Sequence, residues 1–232
     1  MELHFLGTGA ADWDISKADA SPDFRRYSSL LVDGKLLIDP GPCLFEFEKT
    51  FGYDNLFGGV KNIIVTHPHD DHYSERTAER LTRDGARIFF PAAGETLDLG
   101  DYIVRAYAAN HRTAKDPVHF TVESKADGKR FFYGCDGAWL FYETYRALLD
   151  LGHIDLMIFD CTIGDIRGDY RIFEHNNAAM VSEMAASFKK ICPRFMVSHL
   201  ARTLHPATHA ETAAVLAKFG LETARDDLRV NV

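Results

Sequence analysis

The chain has 232 residues, of which 46% are hydrophobic and 12% aromatic. That is enough to bury a sizeable core, so a disordered chain is excluded and one domain spanning residues 1–232 is expected. Its 26 Lys and Arg against 34 Asp and Glu give a formal charge of −8 with no cationic run, which argues against long nucleic acid as a partner.

No apolar window approaches the roughly 18 residues of a membrane span, and no secretory leader pattern opens the chain. Cys43, Cys135, Cys161 and Cys192 make no C-x-x-C pair. Reduced thiols and a cytoplasmic protein, with no membrane partner, are therefore expected. Arg25-Arg26 has two readings, a local cationic patch or a solvated pair ahead of a strand.

In chain order, a strand at residues 3–6 leads into residues 10–27, which carry Asp, Ser and Pro without periodicity. A stretch that long inside a folded domain is either a functional loop or disordered. Strands at 29–32 and 35–38 flank Asp33-Gly34, a hairpin signal that recurs at Asp127-Gly128. An apolar strand at 62–66 precedes a helix at 74–82. Strands follow at 87–90, 102–107, 119–123 and 130–133, then a helix at 138–151 whose Trp139, Tyr142 and Tyr145 read as core. A strand at 155–159 precedes a helix at 177–191, where Val181, Met184, Phe188 and Ile191 share one face. A strand at 195–198 and a helix at 207–219 complete the set. Tight turns between neighbouring strands predict antiparallel pairs, and helices recur after groups of strands. The class is a layered α+β arrangement.

The run His67-Pro68-His69-Asp70-Asp71-His72 follows the apolar strand directly. In extended backbone residues i and i+2 point the same way, so His67 and His69 can grip one ion together. Pro68 biases His67 toward that conformation. Asp71 and His72 sit where the chain turns into the next helix and can aim at a second position. Imidazole and carboxylate suit zinc, manganese or iron. Asp70 is read as facing away and capping the helix. Six residues cannot complete two coordination spheres. Three further ligand types stand just past apolar runs: His111, Asp136 and His199.

Thr66 to His72 matches T-H-x-H-x-D-H, and on that motif the chain resembles the metallo-β-lactamase superfamily. Asp39 in Ile38-Asp39-Pro40-Gly41, His111, Asp136 and His199 follow in the family's order. The resemblance implies a four-layer αββα sandwich with two divalent ions at one edge. His67, His69 and His111 would hold one ion and Asp71, His72 and His199 the other, with Asp136 bridging and Asp39 in support. Within the superfamily the chain is similar to the branch of tRNase Z and the cyclic phosphodiesterase of phosphonate breakdown. That likeness rests on Phe5-Leu6-Gly7-Thr8-Gly9-Ala10, Asn110-His111, Asp160-Cys161-Thr162 and His175-Asn176. Residues 12–23 lack the clustered cysteines with which that phosphodiesterase holds a structural zinc, so no third metal is expected. The long basic arm of tRNase Z is also missing.

Such a site implies a dinuclear metal-dependent hydrolase in which a bridging hydroxide attacks a small or cyclic phosphodiester. His175, oriented by Asp160, would protonate the leaving alkoxide. The local alternatives are an ordinary His175 beside a helix capped by Asn176, and an Asp160 satisfied by backbone amides. His205 and His209 read as helix-start or surface residues, and Cys135 and Cys161 as small buried apolar groups. Two other function classes stay open: hydrolysis of a carbon ester, thioester, lactone or lactam, and a non-hydrolytic metal sensor. A small-molecule substrate is the expected partner, and a homodimer is compatible with this reading.

Overall fold

A computed structural model describes residues 1–232 as two mixed sheets, each backed by helices. The first sheet contains β1 (Glu2–Gly7), β2 (Ser29–Val32), β3 (Leu36–Ile38), β4 (Asn62–Ile64), β5 (Arg87–Phe89) and β13 (Arg229–Asn231), in the order β13-β1-β2-β3-β4-β5. The second contains β6 (Thr96–Asp98), β7 (Tyr102–Ala108), β8 (Val118–Ser124), β9 (Arg130–Gly134), β10 (Leu156–Asp160), β11 (Phe195–Ser198) and β12 (Glu222–Thr223), in the order β12-β11-β10-β9-β8-β7-β6. The helices are α1 (Leu44–Thr50), α2 (Glu75–Arg83), α3 (Tyr142–Leu151), α4 (Ala178–Phe188) and α5 (His209–Ala217). No helix is long and apolar enough to cross a membrane.

The period-two alternation of the strands produces the layering. Leu30 and Val32 of β2, Leu36 and Ile38 of β3, Phe131 and Tyr133 of β9, and Leu156 and Ile158 of β10 all point into one apolar cluster shared by both sheets. The intervening residues face outward and bury against helices. Leu31 and Leu37 meet Leu44 and Phe47 of α1 and Leu81 of α2. Phe132, Met157 and Phe159 meet Leu148 of α3, Val181 and Phe188 of α4, and Leu216 of α5. Each such side chain contributes about 1.5–3 kcal/mol when fully buried. The result is the expected αββα sandwich.

Strand direction then places the chemistry. β3, β4 and β5 run parallel, as do β9, β10, β11 and β12. Asp39, His67, Asp136, Asp160 and His199 stand at the C-terminal ends of β3, β4, β9, β10 and β11, so these residues meet at one edge.

Several sequence expectations need correction. Arg25 and Arg26 are neither a patch nor solvated: they are 3% and 0% exposed. Arg26 is held by Glu46 and Asp226, and Arg25 by Thr8, the Ala224 carbonyl and His209. The α2 cap is Ser74, whose hydroxyl accepts from Thr77 N–H, while Asp70 is exposed. Asn177 rather than Asn176 caps α4. Trp139 is 45% exposed because residues 138–141 lead into α3 as a loop, and Tyr142, at the first position of α3, is 69% exposed. α1, β6, β12 and β13 went unpredicted; each is short, and the three strands lie at or next to sheet margins with few apolar residues. The loop 10–27 is tied down: Trp13 Nε1 donates to the Leu200 carbonyl at 2.8 Å, and Asp12 accepts from the backbone N–H of Arg202 and Thr203.

Candidate metal centre

Asp136 is the hub. Its Oδ2 lies 3.2 Å from His199 Nε2, 3.4 Å from His111 Nε2, 3.7 Å from His72 Nε2 and 3.8 Å from His67 Nε2. His72 Nε2 is also 3.5 Å from Asp71 Oδ2, and His111 Nε2 is 3.2 Å from His69 Nδ1. Most of these separations are too long for good hydrogen bonds. They match ligand-to-ligand spacings of about 3.4 Å around a tetrahedral ion with bonds of about 2.1 Å.

Two mutually close groups of ligand atoms result: His67, His69, His111 and Asp136, and Asp71, His72 and His199. A third, Asp136, Asp160, His175 and His199, relies on His175 Nδ1. That nitrogen stands 2.8 Å from both Asp136 and Asp160, hydrogen-bonds Asp160, and also meets Thr162 Oγ1 at 3.2 Å. Asp160 also accepts from the N–H groups of Gly137, Thr162 and Asn176. The two expectations for Asp160 therefore coexist in one carboxylate, which is satisfied by amides and also orients a histidine.

The ring tautomers are set from behind. Thr66 Oγ1 donates to Asp39, so it accepts the Nδ1–H of His67. Ser28 Oγ donates to the Gly9 carbonyl, so it accepts the Nδ1–H of His199. Asp39 takes the Nδ1–H of His72 at 2.9 Å, and the Glu174 carbonyl takes that of His111. Each of these four rings consequently turns an Nε2 lone pair into the centre. The Nε2 atoms of His67 and His72 and Oδ1 of Asp136 are buried without hydrogen-bond partners. Several buried lone pairs converging on one point, with no donor among them, fit divalent cations.

Electrostatics agree. Burial lowers the His72 pKa, but Asp71 and Asp39 outweigh it and push it up to about 10. His199 is likewise drawn well above its ordinary value despite burial, first by Asp136. Burial and the neighbouring His72 lower His67. Burial opposes ionisation of Asp136, yet His199 and His175 hold its carboxyl well below the usual range. The negative potential that draws protons onto these rings is one a cation can neutralise instead.

The backbone is bent to this purpose. Asp39 and His199 adopt left-handed φ values of 60° and 59°, a conformation uncommon for histidine and often found at functional sites. Gly41 lets the chain approach Asp71 closely, since a Cβ there would lie 2.7 Å from the Asp71 carbonyl oxygen.

Sequence reasoning missed the supports. His119, 1% exposed, faces the Asp136 carbonyl at 3.3 Å through Nε2 while its Nδ1 has no partner. As a neutral ring it thus carries its proton on Nε2 and braces the hub. Ser28 and Glu174 were missed for the same reason: each acts through a contact to a residue 171 or 63 positions away, which no local motif records. His205 Nε2 donates to the Cys161 carbonyl and His209 Nδ1 accepts from Arg25, away from the hub. All four cysteines are free and buried.

No family profile matches the chain. It is 29% identical over 106 residues to the UPF0173 protein PF0020 of Pyrococcus furiosus, a match spanning 38% of this chain and 47% of that relative, so less than half of the relative's length is represented. Among solved structures, the Bacillus subtilis metallo-β-lactamase fold protein YhfI superposes with a TM-score of 0.72 at 13% identity, covering 99% of this chain and 98% of that one. A diphosphatase from the PhnP family gives 0.71 at 17%, covering 100% and 97%. The short form of human tRNase Z gives 0.68 at 18%, covering 100% and 99%. With its two helix-backed mixed sheets and its His/Asp cluster at their edge, the chain has the metallo-β-lactamase fold.

Proposed function

We propose that this protein is a dinuclear metal-dependent phosphodiesterase acting on a small or cyclic phosphodiester. In this reading His67, His69 and His111 hold one ion, Asp71, His72 and His199 the other, and Asp136 both. Bound divalent zinc, manganese or iron would supply Lewis acidity toward a phosphoryl oxygen and lower the pKa of water.

The observation that carries the choice of reaction is the His175–Asp160 pair. His175 stands beside the hub, its Nδ1–H hydrogen-bonded to Asp160 at 2.8 Å with Asp136 at the same distance, and its side chain is 16% exposed, within reach of a bound molecule. Burial lowers its pKa, but Asp136 and Asp160 outweigh this and hold it up at about 11. Cations on Asp136 would remove much of that pull and leave Asp160 as the remaining partner. His175 then donates its Nε2 proton to the leaving alkoxide as the P–O bond breaks. A site that carries such an acid suits a poor leaving group. The likeness to a protein named as a diphosphatase adds a precedent for hydrolysis at phosphorus.

The test is a leaving-group comparison on metal-loaded protein. His175→Ala should keep metal content and Tm, while kcat for alkyl diesters falls about 10²–10⁴-fold, the usual worth of general acid catalysis. The loss should be much smaller for p-nitrophenolate, which leaves unprotonated. Equal losses would reduce His175 to a positioning residue. A lactone or thioester turned over a hundredfold faster than any phosphodiester would replace the proposed substrate class.

A further inference from the structure

Seven large apolar side chains are exposed anywhere on this protein: Phe90, Trp139, Phe141, Tyr142, Ile166, Tyr170 and Phe173. All but Phe90 fall on two segments, 139–142 and 166–173. The first begins three residues after Asp136, and the second ends two residues before His175. Exposed apolar groups scattered singly are ordinary, whereas their collection at one place marks a binding surface.

Both segments are anchored to the same turn, residues 110–113. Ala138 N–H donates to the Asn110 carbonyl at 3.0 Å, and Asn110 Nδ2 donates to the Trp139 carbonyl at 3.3 Å. On the other side, Thr113 Oγ1 donates to Glu174 Oε2 at 2.7 Å, and His111 Nδ1 donates to the Glu174 carbonyl at 3.4 Å. Trp139 and Phe173 are thus carried on backbone clamped to either side of His111, whose ring centroid is 5.3 Å from that of His175.

We infer that Trp139 and Phe173 form a stacking rim for a planar aromatic group on the substrate, beside the phosphoryl position. The inference rests on the phosphoester reading above. Both rim side chains are aromatic, which suits ring stacking better than insertion into acyl chains. The formal charge of −8 opposes an anionic bilayer, and of the two arginines on segment 166–173 Arg171 is already paired with Asp169 at 2.9 Å. A second copy seated on both segments would cover the opening in which His175 is exposed.

The experiment is isothermal titration of metal-loaded protein with phenyl phosphate and with methyl phosphate, which share a head group and differ only in the ring. Wild type should bind phenyl phosphate about tenfold more tightly, the scale of one or two aromatic pairs. Trp139→Ala/Phe173→Ala should bring the ratio to about twofold, and Trp139→Phe should retain most of it. Both positions are exposed, and an unchanged Tm confirms folding. Equal binding of the two phosphates by wild type, or a ratio that survives the double substitution, overturns the inference. So does cosedimentation with phosphatidylcholine/phosphatidylserine vesicles that the double variant loses, or a dimer-to-monomer change in sedimentation. Turnover of bis(p-nitrophenyl) phosphate by wild type is measured alongside. Its absence with an intact phenyl/methyl ratio would count against the diesterase and leave the rim standing.

Discussion

Asp39→Asn is nearly isosteric, yet it should cost the centre one of its histidine lone pairs. Asp39 is fully buried and accepts from Thr66 N–H at 2.8 Å, from Thr66 Oγ1 and from His72 Nδ1 at 2.9 Å. An asparagine in the same place offers one acceptor and one donor group. If its oxygen keeps Thr66, its NH2 faces His72 Nδ1. The ring must then move its proton to Nε2, and the lone pair aimed at Asp136 is lost. If the amide flips, its NH2 opposes the Thr66 N–H, leaving buried donors unmatched at about 1–3 kcal/mol. In the proposed two-ion site, either route weakens binding of the ion assigned to Asp71, His72 and His199 by about 10–100-fold, the range typical of outer-sphere supports. The left-handed φ of 60° at this position does not confound the test, because asparagine tolerates it. Competition with a chromophoric zinc chelator at neutral pH reads the two affinities separately. The ion shared by His67, His69 and His111 should change less. Two affinities within twofold of wild type would refute the tautomer argument.

Further outcomes follow from the same geometry. If the proposed two ions are held, Asp136→Ala should remove at least one per chain, counted by plasma emission, because Asp136 Oδ2 is the atom common to the histidines. His119→Phe should keep the ring's volume against Phe132 but drop the brace on the Asp136 carbonyl; chelator competition should show weaker metal binding, and His119→Leu with full metal affinity would remove that role. Burial raises the thiol pKa of Cys43 to about 12 and of Cys192 to about 11, and it raises Cys135 and Cys161 as well. Native protein at pH 8 should therefore release almost no colour with a disulfide thiol reagent, and four equivalents after denaturation; one fast native thiol would contradict this.

The local parts of the protein were legible before any fold was known. Thr66 to His72 reads as a ligand run because its spacing, the proline and the preceding apolar strand act within a few residues. The period-two strands and the stripe Val181, Met184, Phe188 declare which faces are apolar, since alternation is a backbone property. What the sequence could not express is distance across the fold. Arg25 and Arg26 look like surface cations until Asp226, 200 residues from Arg26, turns out to lie beside them in the interior. Trp139 and Tyr142 fit a helical stripe, but the bonds from Asn110 hold residue 139 in a loop and leave its ring in water. His119 sits inside an ordinary apolar strand, and only the pairing of β8 with β9 brings it under the Asp136 carbonyl. Ligand types and their order were thus set by local chemistry. Their tautomers, their supports and the rim around them were decided by tertiary structure, because a hydrogen bond from a residue far along the chain leaves no periodicity to read.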